Sequence, residues 1–216
     1  MKISMRLQKI AEMVKYPTVV DIGTDHGHLP IYLIQSGLAT KVLATDINPG
    51  PLMTAERNIT NAGLSDHIAT CLCDGLGGVD PADYAACVIS GMGGGLIVDI
   101  IRQNMGIALN FKQLVLSPQR DVPALRLFLQ QSGFRIDDED MLEEKGKIYN
   151  IMDVSPGYET PYDERDLLFG KILLEKRHGV LKKHVEIEIS KLKKIGRKEH
   201  ERYLQLHEEV LEWMSK

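Results

Sequence analysis

Residues 19–30 read Val-Val-Asp-Ile-Gly-Thr-Asp-His-Gly-His-Leu-Pro, and few folds accommodate such a segment. Two β-branched residues lead into Asp21 and Gly23, a polar turn follows, and an apolar run from Leu29 (Ile31, Tyr32, Leu33, Ile34) opens a helix. The segment is therefore a strand, a tight turn and a helix N-terminus. Gly23 and Gly27 carry no Cβ, so the backbone can turn at positive φ and a ligand can lie against it. The first amides of the helix point outward unpaired and can receive a negatively charged group. The turn is a seat for a ligand.

Which ligand follows from what the turn lacks. A dinucleotide fold would place G-x-G-x-x-G here, but counting from Gly23 puts Asp25 and His28 at the second and third glycine positions. A pyrophosphate would meet the Asp25 carboxylate, which argues against NAD and FAD. Asp46 ends the next apolar run (Val42, Leu43, Ala44, Thr45), where an acid can accept both hydroxyls of a ribose. Asp74 follows a third strand-like run at 67–73 and is suited to the adenine amino group. Three acids at three successive strand ends, without phosphate machinery, point to S-adenosyl-L-methionine. The candidate cofactor residues are Asp21, Gly23, Thr24 and Gly27 in the first turn, then Asp46, Ile47 and Asn48, Asp74 and Gly75, and Gly91 and Met92.

At 216 residues the chain is one ordinary domain with room for an appendage. Hydrophobic residues at 44% and charged residues at 26% exclude a disordered chain. The N-terminal stretch interleaves Lys2, Arg6, Lys9 and Lys15 with apolar residues, which is not a signal-peptide pattern, and no apolar run reaches membrane-spanning length. Cys71, Cys73 and Cys87 read as reduced thiols of a cytoplasmic protein, with no metal expected. The net charge of −4 conceals an asymmetry. Residues 1–170 hold 14 basic against 22 acidic residues, whereas residues 171–202 hold 11 against 5. A basic segment thus follows an acidic domain.

Along the chain, strands are expected near 18–23, 41–47, 67–73, 85–91 and 112–117, and helices near 28–36, 50–62, 94–104 and 121–132. A first helix over 3–14 would cap the sheet edge or bring a basic rim of Arg6 and Lys9 to the site. Alternation with short connections implies parallel strands, right-handed crossovers and a doubly wound α/β sheet. After Gly133 the runs 134–142 and 148–154 flank a turn at 143–147, so the sheet ends in an antiparallel hairpin. This is a Rossmann-like class I methyltransferase sheet. Residues 155–161 have the turn chemistry of a linker. Beyond it Leu174, His178, Leu181, Val185, Ile189 and Leu192 step by four or three, Gly196 breaks the run, and Tyr203, Leu206, Val210 and Trp213 repeat it. The expectation is a methyltransferase domain over 1–157 and, over 158–216, a coiled-coil-like antiparallel helical pair, with Gly179 inside its first helix.

Gly91-Met92-Gly93-Gly94-Gly95 follows the fourth strand, whose exit is where a methyl group should meet its acceptor. These glycines let a flat acceptor approach the backbone, or serve packing of the strand-to-helix turn. The first turn, Gly50-Pro51 ahead of a helix, Gly91-Met92-Gly93-Gly94, Leu116-Ser117-Pro118-Gln119 and the C-terminal helical pair together resemble the bacterial tRNA (adenine-22-N1)-methyltransferase family over nearly the whole chain. The resemblance implies methyl transfer from S-adenosylmethionine to adenine N1 in a tRNA. Two positions depart from the family pattern: His28 stands where a tyrosine is usual, and Ser117-Pro118-Gln119 replaces a run ending in asparagine.

The implied mechanism is direct displacement by the adenine N1 lone pair, with the base exposed or flipped from its helix. Asp25 would stabilise the cationic product and take a proton from N6, or else only order the turn; His28 would stack on the base. Gly93, Gly94, Ser117, Pro118, Gln119, Arg6 and Lys9 would meet the substrate at the site. His26 reads as structural. Lys176, Arg177, Lys182, Lys183, Lys191, Lys193, Lys194, Arg197 and Lys198 would contact tRNA phosphates from the helical pair, or form a solvated face. A methyltransferase with a small-molecule or protein acceptor would have no use for that basic segment, and a non-catalytic binding protein would have none for Asp46. The sequence is compatible with a monomer or a weak dimer.

Overall fold

The computed structural model describes residues 3–196 and 200–216; Arg197 and Lys198 of the basic set lie outside the described residues. Seven strands form one sheet: β1 (Thr18–Ile22), β2 (Lys41–Asp46), β3 (Ile68–Leu72), β4 (Ala86–Ser90), β5 (Gln113–Ser117), β6 (Phe134–Glu144) and β7 (Lys147–Pro156). Their order is β3-β2-β1-β4-β5-β7-β6, parallel through β5, with β7 antiparallel to both its neighbours. The doubly wound sheet with its terminal hairpin is as expected.

Successive strand residues feed opposite faces, as the pleat requires. Val20, Ile22, Cys87, Ile89, Leu114 and Leu116 pack under α4 (Gly94–Gln103), α5 (Met105–Ala108) and α6 (Val122–Gln131). Val19, Val42, Ala44, Val88 and Val115 pack under α1 (Met5–Met13), α2 (His28–Gln35) and α3 (Pro49–Asn61). Burial on both faces explains why these strands read as continuous apolar runs. The helix α1 is no edge cap: Ile10, Ala11 and Val14 join Val115 and Ile151 in the second core, on the face of the sheet. Ser4 caps it by accepting from the Leu7 amide.

The β6–β7 turn is tighter than expected. Glu144 pairs with Lys147, leaving Lys145 and Gly146 as a two-residue loop, both at positive φ (52° and 74°). That conformation matches the twist of a hairpin and favours glycine at its second position.

The C-terminal region departs further. The apolar spacing that suggested one helix from Leu174 to Leu192 is divided between α8 (Lys171–Glu175) and α9 (Gly179–Ile195), with Arg177 at φ 48° between them. Gly179 starts α9 instead of interrupting it, and α10 (Glu201–Ser215) folds back against α9. Leu181, Val185, Ile189, Leu206, Val210 and Met214 form a third core that also takes Met141 from β6, Phe169 from α7 (Glu164–Phe169) and Leu173 from α8. A buried ion pair fastens this layer down. The Arg126 guanidinium on α6 meets Glu139 on β6 at 2.8–2.9 Å and donates to the Leu167 carbonyl at 2.8 Å. Gly170, at φ 87°, passes so close that a Cβ would lie 2.6 Å from the Glu139 carboxylate.

Candidate active site

The strand order reverses direction between β1 and β4, and the carboxyl ends of the strands there open a cleft of about 640 Å³. Its wall takes Asp21, Gly23, Thr24, Asp25, His26 and His28 from the first turn and Asp46, Ile47 and Asn48 from the end of β2. Asp74 and Gly75 beyond β3, Gly91 and Met92 beyond β4, Gln119 beyond β5 and Arg6 from α1 complete the set considered above. The structure thus brings together every cofactor candidate except Gly27. Gly27 is the residue before α2, at φ 72°, and a Cβ there would meet Ala55 of α3 at 3.2 Å; its glycine serves helix packing.

The first turn is tied to β2 by hydrogen bonds. Thr24 donates its amide to the Thr45 carbonyl at 2.8 Å. The buried Asp46 carboxylate accepts from the Asp25 amide at 3.2 Å and the Asn48 amide at 2.9 Å. Two backbone donors use half of the lone-pair positions of an ionised carboxylate, leaving the rest for a ligand's hydroxyls. Asp25 itself sits at φ 55°, uncommon for a residue with a Cβ. At Gly23, φ 71°, a Cβ would fall 2.2 Å from the Met92 methyl, so the Met92 thioether lies directly over the glycine.

Asp21 is 3% exposed, and burial pushes its carboxyl up to about 6 against the opposing influence of Thr24 and Arg6. At the mouth, the exposed Asp25 carboxylate lies 2.7 Å from His26 Nδ1, and the His26 ring stacks on His28 with centroids 5.7 Å apart. Sequence reasoning treated His26 as structural; the structure puts it in the cleft wall beside Asp25. Its signal was adjacency within the Asp-His-Gly-His turn.

Several substrate candidates stand elsewhere. Gly94 donates its amide to the Arg120 carbonyl at 2.8 Å, and a Cβ on it would lie 2.6 Å from the Asp121 carbonyl oxygen. A Cβ on Gly93 would lie 2.8 Å from Arg120 Nε. Close packing therefore accounts for glycine at Gly94 and constrains Gly93, and neither lines the cleft. Ser117 and Pro118 are buried behind the wall, which Gln119 alone of the three reaches. Lys9 is drawn to Asp140 on β6 at 2.9 Å, not to the cleft.

The basic segment is largely neutralised within the chain. Lys176 pairs with Asp138, Lys183 with Glu143 at 2.5 Å, Lys191 with Glu188 at 2.7 Å and Lys193 with Glu208 at 2.7 Å. Arg177 lies over the Trp213 ring, 5.0 Å from its centroid. Among the described residues Lys182 and Lys194 have no ion-pair partner. No helix among the described residues is long and apolar enough to cross a membrane.

Residues 19–215 match the family model for tRNA (adenine(22)-N(1))-methyltransferase. The tRNA (adenine(22)-N(1))-methyltransferase of Bacillus subtilis (strain 168) is 32% identical over 189 residues, covering 85% of this chain and 79% of that protein. The crystal structure of a Streptococcus pneumoniae putative tRNA (m1A22) methyltransferase in complex with S-adenosyl-L-methionine superimposes with a TM-score of 0.92 at 33% identity, covering 97% of this chain and all of that one. The Mycoplasma capricolum structure with S-adenosyl-homocysteine shares the fold at 24% identity and a TM-score of 0.81, over 99% of this chain and 96% of that one.

Proposed function

The chain belongs to the tRNA (adenine(22)-N(1))-methyltransferase family, and from that premise we infer that its cleft carries out methyl transfer from S-adenosylmethionine to N1 of adenine 22 in a tRNA. The observation that carries this reading is the convergence of Asp21, Asp46 and Asp74, from three successive strand ends, on one cleft with a glycine turn and no phosphate-binding loop.

The residues present fit the cofactor. Asp46 has acceptor capacity left beyond its two amides and would take the ribose hydroxyls, with Ile47 and Asn48 beside it. Asp74, exposed in the wall next to Gly75, would take the adenine amino group. Asp21 would face the cationic end of the amino acid. Gly23, Thr24, Gly91 and Met92 would line the space between these ends. When bound, S-adenosylmethionine supplies an electrophilic methyl group on a sulfonium, so no covalent enzyme intermediate is required.

Asp25 stands at the mouth, where the acceptor base must enter. Its carboxylate would stabilise positive charge arising on the methylated ring and accept a proton from N6. His26, 2.7 Å away, fixes the orientation of that carboxylate, and His28, stacked on His26, offers a ring face to the base. Gln119, whose amide is held on the Met92 carbonyl at 2.8 Å, would contact the base from the opposite side chain wall. Residues 158–216 would position the tRNA in the cytoplasm-facing reaction, through Lys182 and Lys194 above all.

The test is incubation of the purified protein with labelled S-adenosylmethionine and bulk bacterial tRNA, followed by nucleoside analysis. The expected product is N1-methyladenosine, and Asp25→Ala should lower kcat by about 10²-fold or more while cofactor affinity stays within a few-fold. Cofactor binding without tRNA labelling would overturn the acceptor assignment.

A further inference from the structure

Arg6 was expected on an exposed basic rim, and the structure gives it a different setting. It projects from α1 into the cleft wall, with its guanidinium 5.4 Å from the Tyr149 ring centroid. Its Nη1 lies 3.4 Å from the point that a Cβ on Gly91 would occupy. That nitrogen is buried and, among the described residues, has no hydrogen-bond partner. A guanidinium nitrogen withdrawn from water without an acceptor is unfavourable, so a wild-type arginine held this way calls for an acceptor from outside the chain. The ring beneath it fixes the plane of the fork, which suits a planar anion.

The charge of the rest of the cleft identifies that anion. Asp21, Asp25, Asp46 and Asp74 all line it, and these acids suit ammonium, sulfonium and hydroxyl groups. They would repel the one negative group of S-adenosylmethionine, its α-carboxylate. The two histidines of the wall sit at the mouth, with His26 already beside Asp25. Arg6 stands at the β4 end, by Gly91, whose positive φ of 81° and missing Cβ leave the approach to the guanidinium open. A guanidinium packed against Tyr149 in this way is not placed to reach tRNA phosphates. We propose that Arg6 binds the α-carboxylate of the methionine part of S-adenosylmethionine at Gly91, orienting the amino acid end so that its ammonium faces Asp21. The proposal rests on the cofactor reading above.

The test separates the carboxylate from the rest of the ligand. Calorimetric titration would compare S-adenosylmethionine with its decarboxylated analogue on the wild type, Arg6→Gln and Arg6→Lys. The wild type should favour the carboxylated ligand by about tenfold to a hundredfold, the range of a hydrogen-bonded charge pair. Arg6→Gln should lose that preference while its affinity for the analogue changes less than threefold, and Arg6→Lys should keep part of it. Equal weakening of both ligands would overturn the proposal and make Arg6 a support for the cleft wall. Unchanged cofactor affinity with a raised KM for tRNA would overturn it in favour of a phosphate contact. Failure of the wild type to bind either ligand would remove the cofactor reading itself, an outcome distinct from both.

Discussion

Asp21 and Arg6 in the cleft, and Arg126 and Glu139 beneath the C-terminal helices, are all withdrawn from water, yet the two pairs are treated differently. Arg126 and Glu139 lie 2.8 Å apart, each 1% exposed, and the remaining donors of the arginine go to the Leu167 and Leu168 carbonyls. Asp21 and Arg6 are not joined by an ion pair; the one is held up near 6 and the other keeps a buried nitrogen without an acceptor. Charge that is satisfied inside the chain fastens one layer to another. Charge left unsatisfied lowers the stability of the free protein and is available to a ligand. The comparison breaks most visibly at Arg126. Truncating Arg126→Ala leaves Glu139 buried without its partner and should cost about 3–5 kcal/mol in urea unfolding. The double variant Arg126→Met with Glu139→Leu should recover most of that loss, because no uncompensated charge remains. Equal instability of the two variants would mean that shape, not charge, holds the layer.

The cleft should respond in the opposite sense. Asp21 has its ordinary carboxyl near 3.8 and is pushed up to about 6 by burial, so the folded state binds a proton more tightly than the unfolded one. Stability of the free protein should therefore fall as pH rises from about 4 to about 6 and stay reduced above that. Asp21→Asn should flatten this dependence and stabilise the free protein at pH 8 by roughly 3 kcal/mol at most, following the conversion of about two pKa units. The same substitution should cost cofactor affinity, since the amide no longer offers a charge to the ammonium. In the wild type, affinity should weaken below pH 6 as Asp21 takes up its proton. A variant that is stabilised yet binds S-adenosylmethionine normally would show that Asp21 faces no part of the cofactor.

The alternation of apolar runs and glycine turns made the sheet legible, because strands buried on both faces leave an unbroken apolar signature and their connections are short. The three acids were legible for a related reason: each closes its strand at the carboxyl end, where the topology must bring them together. Other features depend on contacts between distant residues. Nothing local in Gly27 or Gly94 says that Ala55 or the Arg120–Asp121 backbone crowds them. The break before Gly179 was hidden because Leu174 and His178 keep helical spacing while the backbone between them turns through Arg177 at φ 48°. Lys9 and Arg6 share one helix and one charge, and their separation into an ion-paired residue and a buried one is set by Asp140 and Tyr149, both far along the chain.

The same distinction between paired and unpaired charge applies on the surface, with smaller effects. Lys176 and Lys193 are each paired with a carboxylate of the chain, whereas Lys182 and Lys194 are not, although all four belong to the segment that made residues 171–202 basic. A phosphate must compete with the carboxylate for the first two and meets no such competitor at the others. Changing Lys182 and Lys194 together to Gln should raise the KM for tRNA by about tenfold and reduce the salt slope of binding by roughly one per lysine lost. Changing Lys176 and Lys193 together to Gln should move the KM by less than about threefold and stability by no more than about 1 kcal/mol per pair, the range of exposed ion pairs. Cofactor affinity should be untouched by either change. If the paired lysines prove as important as the unpaired ones, the carboxylates of β6 and α10 are giving up their partners when tRNA arrives, and the charge of the whole segment, not its unpaired fraction, sets the affinity.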